Sequence, residues 1–523
     1  PAAAAPAPTA QTQRSLTTAL ADGARIAIET PKLKGSLSLV GARIDDITLT
    51  NYRQTLDKNS PPVRLFAPGG TPQAYFASVG WTGSGIAVPD QRTLWAATGT
   101  KLTPTTPVTL SWSNQTGQTF KIEYSIDKDY LVTAKQTVSN AGAAPVNVAT
   151  YAFVNRRGKP TSPDDIDSWT IHNGPIGQIA GATNYDWDYT DLDEAAGNAT
   201  SFASTGGWIG FTDKYWLAAV IPGATDKVTK EMKVGAGQLY QTNFARAAMS
   251  IPAGQAKSQT SRIFAGAKEV NVLDDYAERL GITRLDYAID WGWFGIIAKP
   301  IFYLLDWLFK SVLNFGVAIM VLTLIIRLLM FPIAQKQFHS MAQMRVVQPK
   351  MKELQDKYKD DKPKMQQELM KLYKTEKINP LAGCLPILLQ IPIFYALYKV
   401  LMLTIEMRHQ PFALWIKDLS APDPAMVLNL FGLLDFTPPA ILGIGVLAIL
   451  LGITMWLQFR LNPTPTDPVQ QQVFAIMPWM MMFLMAPFAA GLLLYWITNN
   501  ILSIAQQQWM YRQFPALKAA PAK

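Results

Sequence analysis

A chain of 523 residues exceeds the usual size of one folding unit, and its 49% hydrophobic content averages over two unlike halves. Residues 1–290 carry 26 Lys and Arg against 26 Asp and Glu, so the net charge of +9 belongs to the rest of the chain. No stripe interleaves basic with aromatic residues, which argues against nucleic-acid specificity, and the single cysteine, Cys384, excludes an intrachain disulfide.

Residues 1–23, opening on the Ala/Pro tract Pro1–Thr9, read as a linker. Residues 1–290 would need an export signal or anchor upstream to reach the far side of a membrane. From Ala24 to about Arg262, short alternating runs are punctuated by Gly, Pro, Asn and Asp, the pattern of antiparallel sheet. The clearest is Thr119–Val138, where Phe120, Ile122, Tyr124 and Ile126 alternate with polar residues before a turn at Asp127–Asp129. Ser36–Leu49, Trp208–Ile221 and Gln238–Ile251 are further strand regions, and Val270–Leu280 reads as a closing helix. Residues 24–290 are therefore expected to form an all-β two-sheet sandwich.

The solvent changes after residue 290. Phe294–Lys310 is apolar except for Lys299, Asp306 and Lys310, which fall within about 40° of one another on a helix. A narrow polar stripe on an apolar helix suits the membrane interface. Leu313–Pro332 is long enough to cross a bilayer. Gln335–Asn379 is a charged helical hairpin turning at Asp360-Asp361-Lys362-Pro363, with 11 basic against 6 acidic residues. Four further spans are expected at 385–403, 439–459, 473–486 and 491–509.

The fold class expected is thus an α-helical membrane bundle over 291–512, with five spans, an interfacial helix and a cytosolic hairpin, behind an N-terminal all-β domain. Residues 513–523 form a basic tail. Positive charge gathers on the hairpin and this tail, whereas Thr404–Pro424 carries two basic and three acidic residues. The positive-inside rule and an odd span count agree in placing the hairpin and tail in the cytosol and residues 1–290 outside.

Arg327 lies inside the first span, where a charge marks function by default. Its structural reading is that the guanidinium snorkels to the cytosolic interface past Pro332. The five spans contain no Asp or Glu, so water or a passing segment is expected to satisfy it. Thr323 sits one turn earlier on the same face, and Gln390, Thr454, Gln458, Tyr495, Trp496, Asn499 and Asn500 are positioned to line a wet concavity among the spans. Each taken singly is more often a helix–helix hydrogen bond than a substrate contact. No metal-spaced His/Cys set, nucleophile elbow or phosphate loop is found, so neither cofactor nor metal is expected, and an enzyme is not the reading.

The segments TLIIRLLMFP (323–332), MAQMRVVQPK (341–350), YKTEKINPLAGC (373–384), QIPIFY (390–395), PFALWIKDLSAPDP (411–424) and GLLLYW (491–496) resemble, in order and spacing, the YidC/Oxa/Alb family of membrane-protein insertases. The resemblance covers about 285–512 and extends more loosely to the outer domain. It implies a bacterial inner-membrane insertase and chaperone with a largely dispensable periplasmic β-supersandwich. Its hydrophilic groove would be open to cytosol and lipid, with Arg327 attracting acidic stretches of incoming substrate and Thr323, Tyr495 and Trp496 touching nascent chains. The implied partners are nascent membrane proteins, the lipid bilayer, the ribosome and a Sec translocon. Asn429–Pro439 departs from the family pattern as an insertion. On physics alone an ion channel or secondary transporter is the rival, though neither a paired charge relay nor an inverted repeat is visible. A sugar-acting envelope enzyme is a second alternative, since large β-sandwiches often bind carbohydrate.

Overall fold

The computed structural model describes residues 5–8, 12–161, 171–195, 197, 199–359, 361–376, 385–434, 436, 438–439, 443–461 and 468–513. Cys384, Asp360, the end of the hairpin at 377–379 and the tail beyond residue 513 lie outside them. The chain divides into two units, residues 1–290 with 403–405 and residues 291–402 with 406–523.

The first unit contains two sheets, one of 11 strands and one of nine. The expected hairpin is present as Gln118–Ile126 against Leu131–Asn140, with Val132 opposite Ile126 and Asn140 opposite Gln118. Burial alternates along Gln118–Ile126, as a half-buried strand requires. Two of the expected strand regions are hairpins. Leu33–Ser38 and Arg43–Arg53 pair antiparallel about a turn in which Gly41 and Ala42 have φ of 73° and 50°. A Cβ on Gly41 would meet the Gln91 carbonyl at 2.5 Å, so this crossing admits only glycine. Ile209–Thr212 and Trp216–Ile221 likewise reverse through Asp213–Tyr215.

Aromatic side chains such as Trp81, Phe120 and Tyr124 fill the space between the sheets. Buried polar groups join one sheet to the other: Gln136 Nε2 donates to Gly80 O at 2.9 Å, and Arg246 Nη1 donates to Ser261 Oγ at 3.0 Å. Such bonds fix sheet registry because leaving either partner unmade inside costs about 1–3 kcal/mol.

Part of the stretch read as linker packs against the larger sheet. Ala5 is buried with Phe76, Tyr151 and Phe153, and Lys233 and Gln241 donate to the carbonyls of Ala5 and Pro6. A proline here costs nothing in lost donors, because only the carbonyls are used.

The helices are α1 (Leu16–Leu20), α2 (Tyr189–Glu194), α3 (Val270–Arg279), α4 (Gly295–Val312), α5 (Phe315–Lys357), α6 (Lys362–Thr375), α7 (Leu385–Leu403), α8 (Val446–Leu461), α9 (Pro468–Met485) and α10 (Ala490–Gln513). The closing helix α3 is held to the hairpin by Tyr276, whose hydroxyl donates to Asp127 Oδ2 at 2.5 Å. In α4 the expected polar stripe carries an Asp306–Lys310 ion pair at 2.6 Å, while Trp307 and Ile296 are exposed.

Two boundaries differ from the sequence reading. The first span does not stop at Pro332. Helix α5 continues through Pro332 and Pro349 into the first arm of the hairpin. Each proline removes one N–H, and the Gln, Lys, Met and Glu residues that follow are good helix formers. The third apolar helix starts at Val446, not Pro439. There the Asp423 carboxylate accepts from Leu447 N at 2.8 Å and fixes the helix start. Gly445 lets Asp423 approach, since a Cβ would meet Asp423 Cβ at 2.7 Å.

Among the described residues, Phe315–Lys336 is long and apolar enough to cross a membrane, whereas Gln390–Leu403, Val446–Leu461 and Gln471–Met485 are shorter apolar helices. The segment 404–426 gathers the starts of three helices at one end of this unit. Phe412 O accepts from Asn314 Nδ2 before α5, Ala425 O from Val446 N, and Leu419 O from Gly491 N. Helices α5, α8 and α10 therefore run the same way, away from that segment.

Candidate functional site

Helix α10 packs against both α5 and α8. Its buried residues include Tyr495, Asn499, Ser503 and Gln507. Spaced by four, these residues form one slowly drifting polar stripe on a helix face. In an apolar bundle such a face seeks other helices or water.

The stripe engages two helices, and the adjoining face of α10 a third. Gln390 Nε2 of α7 donates to Tyr495 Oη at 2.7 Å. Arg327 of α5 donates from Nε to Asn499 Oδ1 at 2.8 Å and from Nη2 to Ser503 Oγ at 2.5 Å, with Asn499 O at 3.5 Å. Ser503 Oγ in turn donates to Asn499 O at 2.6 Å. On the adjoining face, Asn500 Nδ2 donates to Thr454 Oγ1 of α8 at 3.1 Å.

This geometry corrects one expectation. Where water or a passing segment was expected to satisfy Arg327, α10 supplies neutral acceptors from within the protein. The guanidinium has five N–H donors, and these bonds use only Nε and Nη2. Among the described residues Arg327 makes no ion pair, so its charge is held in place without being neutralised.

Thr323 is buried, and its hydroxyl donates back to Ile319 O at 2.6 Å, one turn earlier. Trp496 lies edge-on to Phe394, with ring centroids 5.1 Å apart, and its indole N–H has no acceptor among the described residues. Gln458 is half-buried on α8. The structure therefore brings Arg327, Asn499, Gln390 and Tyr495 onto shared hydrogen bonds, and sets Thr323 and Trp496 on the same helices outside them.

Two family models together account for most of the chain: that of the YidC periplasmic domain matches residues 25–304, and that of a 60Kd inner membrane protein matches residues 307–518. The chain belongs to the YidC membrane-protein insertase family. The membrane protein insertase YidC of Zymomonas mobilis is 50% identical over 93% of this chain and 84% of its own length. That of Nitrobacter hamburgensis is 46% identical over 95% of this chain and 84% of its own length. That of Rhizobium etli is 47% identical over 96% and 84%.

In this YidC-family chain, sequence reasoning missed Ser503 and Lys399. Ser503 was legible as the residue one turn beyond Asn499, on the face that already carried Tyr495. Lys399 is a second basic residue within an expected span; it is buried and stands 5.8 Å from the centre of the Tyr395 ring. Its position near the end of α7 let it pass for a flanking charge.

Proposed function

We propose that this protein is a non-enzymatic inner-membrane insertase in which Arg327, held by Asn499 and Ser503, offers an uncompensated positive charge to acidic stretches of incoming membrane proteins. The observation that carries this reading is that, among the described residues, Arg327 pairs with neutral acceptors only. A carboxylate in that place would have spent the charge; an amide and a hydroxyl orient the guanidinium and leave its field available. Membership in the insertase family supplies the substrate class, and the lipid bilayer is the destination.

The finer reading has five spans with the hairpin and C-terminus in the cytosol and residues 1–290 in the periplasm. It is supported by the basic hairpin, with 11 basic against 6 acidic residues, and by the common direction of α5, α8 and α10. The functional boundaries are 24–290 for the periplasmic domain and 291–512 for the insertase core. Thr323, Gln390, Tyr495, Trp496 and Asn499 complete the groove around Arg327. Translating ribosomes and a Sec translocon are the partners such a groove would serve.

Site-specific photocrosslinking tests the assignment. A photoreactive residue in place of Trp496 is expected to capture a single-span nascent chain during synthesis. Capture from Leu313, which precedes the start of α5, with none from Trp496, would move the path elsewhere.

A further inference from the structure

The segment between 404–426 and α8 is built inside out. Asn429, its polar side chain buried, sits at the centre: its carbonyl accepts from Gly432 N and Leu434 N, its Oδ1 accepts from Gly432 N at 2.8 Å, and its Nδ2 donates to Pro424 O at 3.3 Å. Phe431 N donates to Met426 O at 2.7 Å, and Val427 N to Ile444 O at 3.0 Å. The apolar side chains point the other way. Leu428, Leu430, Phe431, Leu433, Leu434 and Phe436 are all exposed, Leu433 by 84% and Phe431 by 57%.

A loop bathed in water keeps its apolar groups inward and lets water satisfy its backbone. Here the backbone closes on itself and the hydrocarbon faces out, which is the arrangement that a hydrocarbon solvent demands. The backbone is also strained toward it. Leu430, Phe431 and Gly432 take φ of 51°, 60° and 89°, and the left-handed region is costly for Leu and Phe.

The position of the loop and its charge name the occupant. It is tied to the start of α8 by the Met426–Gly445 bridge, and it leaves segment 404–426, whose Phe412 and Leu419 meet the starts of α5 and α10. Those helix starts are one face of an apolar bundle. Residues 425–445 contain no Lys or Arg and one acid, Asp435, so the loop offers nothing to a phosphate headgroup and everything to acyl chains.

We infer that residues 427–434 and Phe436 form a lipid-inserted wedge, with Leu433 and Phe431 lodged among the acyl chains of the leaflet next to segment 404–426. The periplasmic identity of that leaflet rests on the proposed orientation; the contact with acyl chains does not. A wedge of this kind displaces lipid beside the bundle without adding a span.

The test uses the full chain with Cys384→Ser and a single Leu433→Cys, labelled with an environment-sensitive nitrobenzoxadiazole and reconstituted in phosphatidylethanolamine–phosphatidylglycerol vesicles. Leu428→Cys is the second probe, and retained insertion activity certifies each variant. The expected result is blue-shifted emission that is lost with nitroxide-bearing phospholipid and unmoved by aqueous iodide. Quenching by iodide alone places the loop in water and overturns the wedge. Shielding from both quenchers means that protein, such as a second copy, covers the loop, and overturns it equally. Bleaching by an impermeant reductant added from one side reads the leaflet separately, so a wrong orientation and a wrong lipid contact give different results.

Discussion

Arg327 of α5 and Ser503 of α10 are bonded at 2.5 Å across 176 residues of sequence. That bond joins the first long apolar helix of the bundle to its last and makes the charge of Arg327 part of the packing. Ser503 therefore allows the charge to be altered without touching Arg327. Ser503→Ala removes one hydrogen bond to a charged donor and is expected to cost about 1–3 kcal/mol of bundle stability while leaving the proposed preference for acidic substrates intact. Ser503→Asp is expected to fold, because it pairs with the guanidinium, yet to lose that preference. Thermal unfolding in detergent and insertion of matched acidic and neutral substrates separate the two effects. Undiminished preference in Ser503→Asp would detach the preference from the charge.

Much of this arrangement was readable beforehand. The alternation of Phe120, Ile122, Tyr124 and Ile126 gave a strand because a half-buried sheet has a period of two, and Arg327, Tyr495 and Asn499 stood out because polar groups are rare in apolar helices. What the sequence hid were partners and turns. The Leu33–Ser38 and Arg43–Arg53 hairpin turns on a backbone contact of Gly41 with Gln91, which is 50 positions away and leaves no local pattern. The start of α8 is set by Asp423, a residue of another segment. Apolar periodicity alone carried the expected helix back to Pro439 because nothing local interrupts the run. Prolines misled in the opposite sense, since a helix anchored at both ends tolerates one missing bond.

The orientation is checked by labelling single cysteines with an impermeant maleimide in intact cells and in inverted vesicles. Lys364→Cys, in the second arm of the hairpin, is expected to react only from the cytosolic face, and Lys128→Cys only from the periplasm. Lys128 is chosen because it is exposed, whereas the neighbouring Asp127 accepts bonds from Leu131 N and Tyr276 Oη and would be lost as a structural group. Reaction of Lys364→Cys in intact cells would reverse the assignment.

Lys230 supplies a pH dependence in the sandwich. It is fully buried, its amino group donates to Gln178 O and, at 3.2 Å, to Ser204 Oγ, and burial pushes its pKa down to about 7. The unfolded chain holds this proton up to the ordinary lysine range near 10.5. Between those values the unfolded state binds more protons, so stability rises with pH, by at most about 1.4 kcal/mol per pH unit, and is flat from this source below pH 7. Thermal unfolding of the full-length protein followed from neutral to mildly alkaline pH should show the rise, and Lys230→Met should remove it. An equal slope in both proteins would assign the dependence to other groups.

The role of Arg327 itself is decided by a charge series. If its field attracts acidic segments, charge must matter more than shape, and the range of the effect must be that of a screened monopole, not of a bidentate pair. Arg327→Lys keeps the charge but not the fork that spans Asn499 and Ser503, so it is expected to retain most activity on acidic substrates with some loss of bundle stability. Arg327→Ala removes the charge and should impair acidic substrates most, leaving neutral ones near the wild-type level. Arg327→Glu adds repulsion and should be worst. A purely structural arginine predicts another order: Lys and Ala both lower protein abundance, and every substrate suffers alike. Insertion of one single-span substrate, carrying no, few or many acidic residues in its translocated tail and normalised to insertase abundance, distinguishes these orders. An identical loss for every tail in Arg327→Ala would leave the Asn499–Arg327–Ser503 cluster as a clamp between α5 and α10 and nothing more.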